Sequence, residues 1–283
     1  MSTHAHAHAP TAAPTAAPTA SLDPSTAALP DFIPQLMSRY SEEDHAVWAL
    51  LTTRRTESLE RTASRVFLDG MARIGLDSSS VPDLASVNQR LAAATGWSAV
   101  GVRGFIPARQ FFHCLAMRRF PTTLAVRPRA QLDYLPEPDI FHDVFGHVPL
   151  HADPAFAGFL QRFGRLAAEA NTEEEIERMA RLFWFTVEFG LVRERGEVRI
   201  YGSGLISSGG DATNALGPAC DRRPFSLDAV VAQPFEIDRL QESLFVIDSF
   251  DQLFEAVECL ALGARQVPAR PVRARPTAPR AVR

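Results

Sequence analysis

The sequence has 283 residues, of which 46% are hydrophobic and 22% are charged, and its formal net charge is −4. This balance is ordinary for a globular protein with a sizeable core, and it excludes a strong attraction to nucleic acid or to an anionic membrane. No run of about 18 apolar residues occurs, so no transmembrane helix is predicted. The three cysteines form no CxxC pair, which favours reduced thiols and a cytoplasmic location.

Both ends of the chain are low in sequence complexity. Residues 1–29 are rich in Ala, Pro, Thr and His, and residues 265–283 are rich in Arg and Pro. Neither composition can build a hydrophobic core, so both segments are predicted to be disordered tails. The sequence between them, residues 30–264, is predicted to form one domain.

The segment between the tails has mainly helical periodicity. Ser41 is the candidate N-cap of a first long helix that runs towards residue 76. Asp153 and Pro154 have the residue types of an N-cap and a first helical position. Thr172 and Glu175 form the pattern of a capping box. A last helix is predicted near residues 248–262.

Strand signals are few. After Gly190, the sequence "LVRERGEVRIYGSG" alternates on either side of Arg195 and Gly196, which predicts a short hairpin. The predicted fold class is therefore α+β, predominantly helical, with a small antiparallel hairpin or sheet.

Two histidines and an acid stand close together in "PDIFHDVFGHVPL", residues 138–150. On an ideal helix, His142 and His147 would point about 140° apart, because each residue turns the helix by about 100°. Gly146 can loosen the last turn and Pro149 prevents its continuation, so His147 is predicted to swing back towards His142. Each histidine alone is more often a structural residue than a metal ligand.

A carboxylate lies within the apolar segment "RLFWFTVEFGL", residues 181–191. A helix that is apolar nearly all round is buried, and a buried Glu188 needs a metal ion or a cationic partner. Arg181 lies on the same helical face and is the alternative partner, and a position of Glu188 on a solvated edge is the other alternative. Taken together, His142, His147 and Glu188 match the two-histidine, one-carboxylate triad of non-haem Fe(II) oxygenases.

A zinc-dependent hydrolase is the rival interpretation from another class of enzyme. Such enzymes require His-Glu-x-x-His, with a general-base glutamate directly after the first histidine. Here Asp143 follows His142, and the spacing to His147 is one residue longer. A non-catalytic protein that kept the fold is a second rival, although all three candidate ligands are present.

The segments "PEPDIFHDVFGHVPL", "FWFTVEFG" and "YGSGLISSGGD" resemble the signature segments of the pterin-dependent aromatic amino acid hydroxylases. The similarity runs from about Trp48 to about Phe250 and is strongest to the bacterial members that act on phenylalanine. The resemblance implies a single basket-like, mostly helical catalytic domain. It also implies that His142, His147 and Glu188 are the iron ligands.

Further site residues follow from the resemblance alone. Arg127 falls on the arginine that pairs with the substrate carboxylate, a task that suits a bidentate fork. The other implied substrate-binding residues are Pro138, Trp184, Phe189, Gly204 and Ser207. The implied cofactor-binding residues are Phe111, Asp143, Ala180 and Phe183, with the pterin stacked over Phe111 and Phe183 closing the other side.

The resemblance also implies a reaction. Fe(II) and tetrahydrobiopterin, or a related tetrahydropterin, would use O2 to hydroxylate L-phenylalanine at its para carbon, giving L-tyrosine. Tryptophan or tyrosine stays open as the substrate, because the shape of the pocket decides between them. A monomer is expected, since disordered tails stand where the animal enzymes carry regulatory and tetramer-forming segments.

Overall fold

The computed structural model describes residues 29–77, 79–133, 137–237 and 239–266. Nearly all of both predicted tails therefore lies outside the described residues. Among the helices that are described, none combines the length and the apolar character needed to cross a bilayer.

The first long helix is divided in two. Helix α1 (Glu42–Thr62) begins with the capping box of Ser41 and Asp44, and α2 (Arg65–Ile74) follows after Ala63. The chain is extended at Ala63, which bridges to Ile200, and the Ser64 hydroxyl caps α2. The apolar periodicity continues across the break, so the sequence alone predicts one helix where tertiary pairing makes two.

A strand–helix–strand unit that the sequence analysis does not predict follows α3 (Leu84–Thr95). Its parts are β1 (Ser98–Val102), α4 (Ala108–Ala116) and β2 (Arg119–Thr123). The two strands are parallel, and α4 is the crossover between them. The unit places α4 and the end of β2 beside the histidine-bearing segment.

The two segments that carry the candidate ligands are π-helical, with hydrogen bonds between residues five positions apart. The first is Phe141–His147, which continues as a 3₁₀ turn, Val148–Ala152. Helices α5 (Pro154–Glu169) and α6 (Glu173–Phe183) come next, and α6 runs directly into the second π-helical segment, Trp184–Glu188. The predicted N-cap at Asp153 and the capping box of Thr172 and Glu175 are both confirmed.

The predicted hairpin is confirmed, and it belongs to a larger sheet. Strands β3 (Leu191–Glu194) and β4 (Glu197–Ile200) are antiparallel around Arg195 and Gly196, whose φ angles are 52° and 85°. Positive φ angles at two successive residues are typical of the tight turns that connect the strands of a hairpin. Strands β5 (Asp221–Pro224) and β6 (Ser243–Ile247) complete the order β4-β3-β6-β5, and β6 is parallel to both neighbours.

Four α-helices follow β4 in the described chain: α7 (Ser203–Ser207), α8 (Gly209–Leu216), α9 (Leu227–Ala232) and α10 (Phe250–Gln266). One hydrophobic cluster joins residues from α1 through α10, including Trp48, Phe163 and Phe245. The α+β, mostly helical fold class is therefore confirmed. All residues of both π-helical segments are buried, so the candidate ligands lie in the protein interior.

Candidate metal centre and aromatic cavity

His142, His147 and Glu188 meet in the interior of the protein. The Nε2 atoms of the two histidines are 3.3 Å apart, and the Glu188 carboxylate lies 3.2 Å from His147 Nε2 and 3.7 Å from His142 Nε2. One ligand atom from each residue falls within a group whose members lie within 4.8 Å of one another. The predicted convergence is therefore present.

The path by which the histidines converge differs from the prediction. Segment Phe141–His147 is π-helical as a whole, so residues five apart face the same side without a loosened final turn. Gly146 has a different role, because a Cβ there would lie 3.1 Å from the Ser203 carbonyl oxygen. Its lack of a side chain allows α7 to pack directly against the histidine-bearing segment.

Glu188 reaches the same point from its own π-helical turn, in which the Phe189 amide donates to the Trp184 carbonyl. The alternative partner Arg181 is engaged elsewhere, with Glu177 and with the Val231 carbonyl. Among the described residues, the ion-pair partners of Glu188 are the two histidines alone. The predicted alternative, a Glu188–Arg181 pair, is therefore wrong.

Two serines of α7 orient two of the three candidate ligands. Ser203 Oγ donates to Glu188 Oε2 at 2.9 Å, and Ser207 Oγ lies 2.9 Å from His142 Nδ1. Ser207 donates its own proton to the Ser203 carbonyl. His142 Nδ1 must then carry the proton shared with Ser207, which leaves the Nε2 lone pair free for a metal ion.

The donor set fits a divalent metal ion. Glu188 is completely buried, and the nearest nitrogen to its Oε1 is His147 Nε2 at 3.2 Å among the described ion pairs. Burial lowers the pKa of His142 to about 4, so its imidazole is neutral near pH 7. Burial opposes ionisation of Glu188, but the neighbouring His147 and His142 outweigh it and lower the pKa of the carboxyl. Neutral imidazole and ionised carboxylate are the forms that bind metals.

A cavity of about 180 Å³ opens beside His147. All four predicted cofactor-binding residues line it: Phe111, Asp143, Ala180 and Phe183. The predicted substrate residues Pro138 and Trp184 line it as well. The walls are mostly aromatic and aliphatic, and such walls favour flat, ring-containing ligands.

Phe183 does not occupy the position that was predicted for it. Its ring meets that of Phe111 edge to face, with centroids 5.5 Å apart and an interplanar angle of 84°. A flat ligand therefore cannot be sandwiched between the two rings as they stand. Phe111 can still offer a face to the cavity, while Phe183 forms an edge of it.

Asp143 is held by Thr123, whose amide and hydroxyl both donate to Asp143 Oδ2 at 2.7 Å. Burial raises the pKa of Asp143 to about 7, although the two hydrogen bonds from Thr123 oppose that rise. The carboxyl group lines the cavity with one oxygen engaged by Thr123.

Arg127 is buried and forms a two-point ion pair with Asp139, with Nε and Nη2 each 2.9 Å from a carboxylate oxygen. Nη1 donates to the Leu132 carbonyl. Among the residues that the structure describes, three of the five N–H donors of the guanidinium have an acceptor. Asp139 also accepts the His142 amide, which connects Arg127 to the metal centre.

The remaining predicted substrate residues lie around the Glu188 segment and outside the lining of the cavity. Phe189 packs on Trp184 with centroids 4.7 Å apart, and Trp184 in turn stacks on Phe235 at 4.5 Å. A Cβ at Gly204 would lie 3.1 Å from the Phe189 ring, so glycine allows this approach.

Sequence reasoning missed four residues that shape the site: Thr123, Asp139, Ser203 and Phe235. Asp139 stands three residues before His142, so its bond to the His142 amide was open to prediction as a local cap. Phe235 carries no such signal, because its contact with Trp184 depends on the folding of distant segments.

Two histidines and one carboxylate are the ligand set of mononuclear non-haem iron oxygenases. The family described as Biopterin-dependent aromatic amino acid hydroxylase matches residues 29–266. The chain belongs to this family.

Similar proteins and structures are found among bacteria and animals. Phenylalanine-4-hydroxylase of Chromobacterium violaceum is 46% identical over 225 residues, which cover 79% of this chain and 76% of that protein. Tyrosine 3-monooxygenase of Canis lupus familiaris is 37% identical over 224 residues, covering 78% of this chain and 45% of that protein. The C. violaceum phenylalanine hydroxylase with bound iron(III) and 7,8-dihydrobiopterin superposes with a TM-score of 0.78 and 44% identity, over 83% of this chain and 87% of that one.

Proposed function

We propose that this chain is a phenylalanine 4-monooxygenase, which converts L-phenylalanine and O2 to L-tyrosine with Fe(II) and a tetrahydropterin. The observation that carries the proposal is the buried Glu188 carboxylate, which has two histidine nitrogens and no Lys or Arg as ion-pair partners among the described residues. Bacterial relatives named phenylalanine-4-hydroxylase are 39–46% identical, which supports phenylalanine over tryptophan or tyrosine as substrate.

His142, His147 and Glu188 would hold the ferrous ion. Bound there, iron and tetrahydropterin supply the electrons and the activation of O2 that no protein side chain can supply. Ser203 and Ser207 keep Glu188 and His142 in the geometry and the protonation state that ligation requires. Their hydrogen bonds are the kind of outer support on which metal sites depend.

Arg127 would orient the amino acid through its carboxylate. Its remaining donors suit a bidentate contact, and Asp139 fixes the plane of the guanidinium. Pro138 and Trp184 then give the aromatic ring an apolar wall that excludes water, and Phe235, which stacks on Trp184, extends that wall. Phe189, Gly204 and Ser207 would shape the substrate site from the α7 side.

Phe111 would bind the pterin ring by stacking, and Ala180, Phe183 and Asp143 would bound the rest of the cofactor. The pterin and the metal thus share one cavity wall, since His147 lines the same space. That shared wall lets cofactor, metal and substrate ring meet without bulk water between them.

A monomer in the cytoplasm is the state we propose for the active protein. Its three cysteines are all unpaired, and two of them, Cys114 and Cys220, are buried, which suits a reducing compartment. Size-exclusion chromatography with light scattering tests the monomer. A mass twice or four times that of the chain would contradict it.

The test of the activity is tyrosine formation by purified protein under air, with Fe(II), a tetrahydropterin and each amino acid in turn. We expect phenylalanine to be converted only when both iron and pterin are present. Tryptophan or tyrosine turnover above that of phenylalanine would instead assign the chain to another member activity of the family. Absence of all three activities with iron bound would refute the proposal.

A further inference from the structure

Arg55 places a buried positive charge against the backbone of α7. Its side chain belongs to α1 and is largely removed from solvent. Nε donates to the Ile206 carbonyl at 2.7 Å and Nη2 donates to the Leu205 carbonyl at 3.0 Å. The last carbonyls of a helix lack partners within the helix and carry its negative dipole end, so a guanidinium fork suits them.

Helix α7 is only 5 residues long. An isolated helix of this length is unstable in water, so contacts with the rest of the protein determine its position. It nevertheless carries Ser203 and Ser207, which orient Glu188 and His142. The guanidinium of Arg55 hydrogen-bonds the backbone between these two serines, at Leu205 and Ile206.

We propose that Arg55 is a positioning residue for the metal centre. It acts through α7 on two of the three ligands, and this proposal rests on the proposed iron site. Loss of the fork lets the end of α7 shift, and Ser203 and Ser207 then orient Glu188 and His142 less tightly. Through Arg55, helix α1 therefore influences the affinity of the site for its metal ion.

Arg55 meets the charge requirement of this role. Burial lowers its pKa to about 10 and the charge of Asp211 opposes that change, so Arg55 stays protonated at neutral pH. Its third nitrogen, Nη1, donates to Ser58 Oγ within α1, which fixes the direction of the fork.

A merely structural role predicts a different result, and Arg222 provides the matched control. Arg222 also donates to two carbonyls at a helix end, through Nη1 alone: those of Ala215 in the last turn of α8 and of Gly217 just after it. No candidate ligand is supported by α8. Loss of Arg222 therefore removes two hydrogen bonds to the end of a helix that bears neither a candidate ligand nor Ser203 or Ser207.

The experiment compares wild type, Arg55→Met, Arg55→Lys and Arg222→Met by anaerobic titration with Co(II), followed by its visible absorption. Mutation of a residue that supports a metal ligand typically lowers metal affinity by about 10–100-fold. We expect a loss in this range for Arg55→Met and roughly tenfold for Arg55→Lys, because an ammonium cannot reproduce the planar fork. The Co(II) bands should shift in both variants, while Arg222→Met keeps the wild-type affinity and spectrum.

Thermal unfolding of the metal-free proteins separates folding from positioning. Arg55→Lys keeps the charge and serves as the deciding variant if Arg55→Met does not fold. Wild-type Co(II) affinity in folded Arg55→Lys would overturn the inference, and so would an equal loss in Arg222→Met. Failure of the wild type itself to bind Co(II) would instead refute the proposed iron site.

Discussion

His151 is a buried histidine whose ionisation the fold opposes. Its replacement by leucine tests how much this residue contributes to the pH dependence of the free energy of unfolding. Its Nδ1 lies 2.8 Å from the His147 carbonyl oxygen, which can only accept a hydrogen bond, so Nδ1 carries the proton. Its Nε2 has no partner among the described residues, and the rings of Trp97 and Phe120 lie 4.7 Å and 4.9 Å away. Burial lowers the pKa of His151 to about 3 from its ordinary 6.5.

A lowered histidine pKa means that the unfolded chain takes up the proton first as pH falls. The stability contributed by neutral His151 is therefore complete above pH 6.5 and is lost as pH falls towards about 3. At pH 5, protonation of an ordinary histidine favours the unfolded chain by about 2 kcal/mol, from RT ln(1 + 10^1.5). This value depends little on the folded pKa, as long as that pKa lies well below 5.

The assay is urea unfolding of metal-free wild type and His151→Leu at pH 8 and at pH 5. Other groups titrate too, among them His142 and Asp143, but they do so in both proteins and cancel in the difference. We expect the free energy of unfolding of the variant to improve by about 2 kcal/mol relative to wild type between pH 8 and pH 5. A difference that stays constant across this range would refute the reasoning.

Three further predictions concern the proposed site. Glu188→Gln should abolish tight Co(II) binding, because a neutral amide removes the anionic ligand. Glu177→Gln, at an exposed position, is the control, and retained Co(II) binding in Glu188→Gln would contradict the proposed triad. Arg127→Lys should raise the KM for phenylalanine about tenfold or more with little change in metal affinity, since the ammonium loses the two-point contact; an unchanged KM argues against the substrate role. Phe111→Leu should raise the KM for the tetrahydropterin several-fold, as expected when stacking of roughly 1 kcal/mol is lost; a rise only in the KM for phenylalanine would place the pterin elsewhere.

Residue types and the family resemblance were enough to predict that the three candidate ligands converge and which six of the predicted site residues line the cavity beside them. His142, His147 and Glu188 are rare polar residues in long apolar segments, so burial makes their chemistry conspicuous. Local capping rules likewise predicted where α5 and α6 begin. In each case the signal lies within a few residues of the feature it predicts.

Features that depend on tertiary packing were not predictable in the same way. The five-residue spacing of the histidines predicts a loosened α-helix, whereas both ligand segments are π-helical and held by the surrounding core. Strands β5 and β6 pair in parallel although β5 is the charged sequence Asp221–Pro224, which lacks a strand pattern. The edge-to-face contact of Phe111 with Phe183 and the stacking of Phe235 on Trp184 join distant segments.

The central claim is that this site inserts an atom of O2 into phenylalanine. The most direct measurement is mass spectrometry of tyrosine formed under 18O2 in ordinary water, with Fe(II) and tetrahydropterin present. We expect one 18O atom in each new tyrosine, and no product from Glu188→Gln. Tyrosine that carries oxygen from water, or that forms equally well in Glu188→Gln, would contradict it.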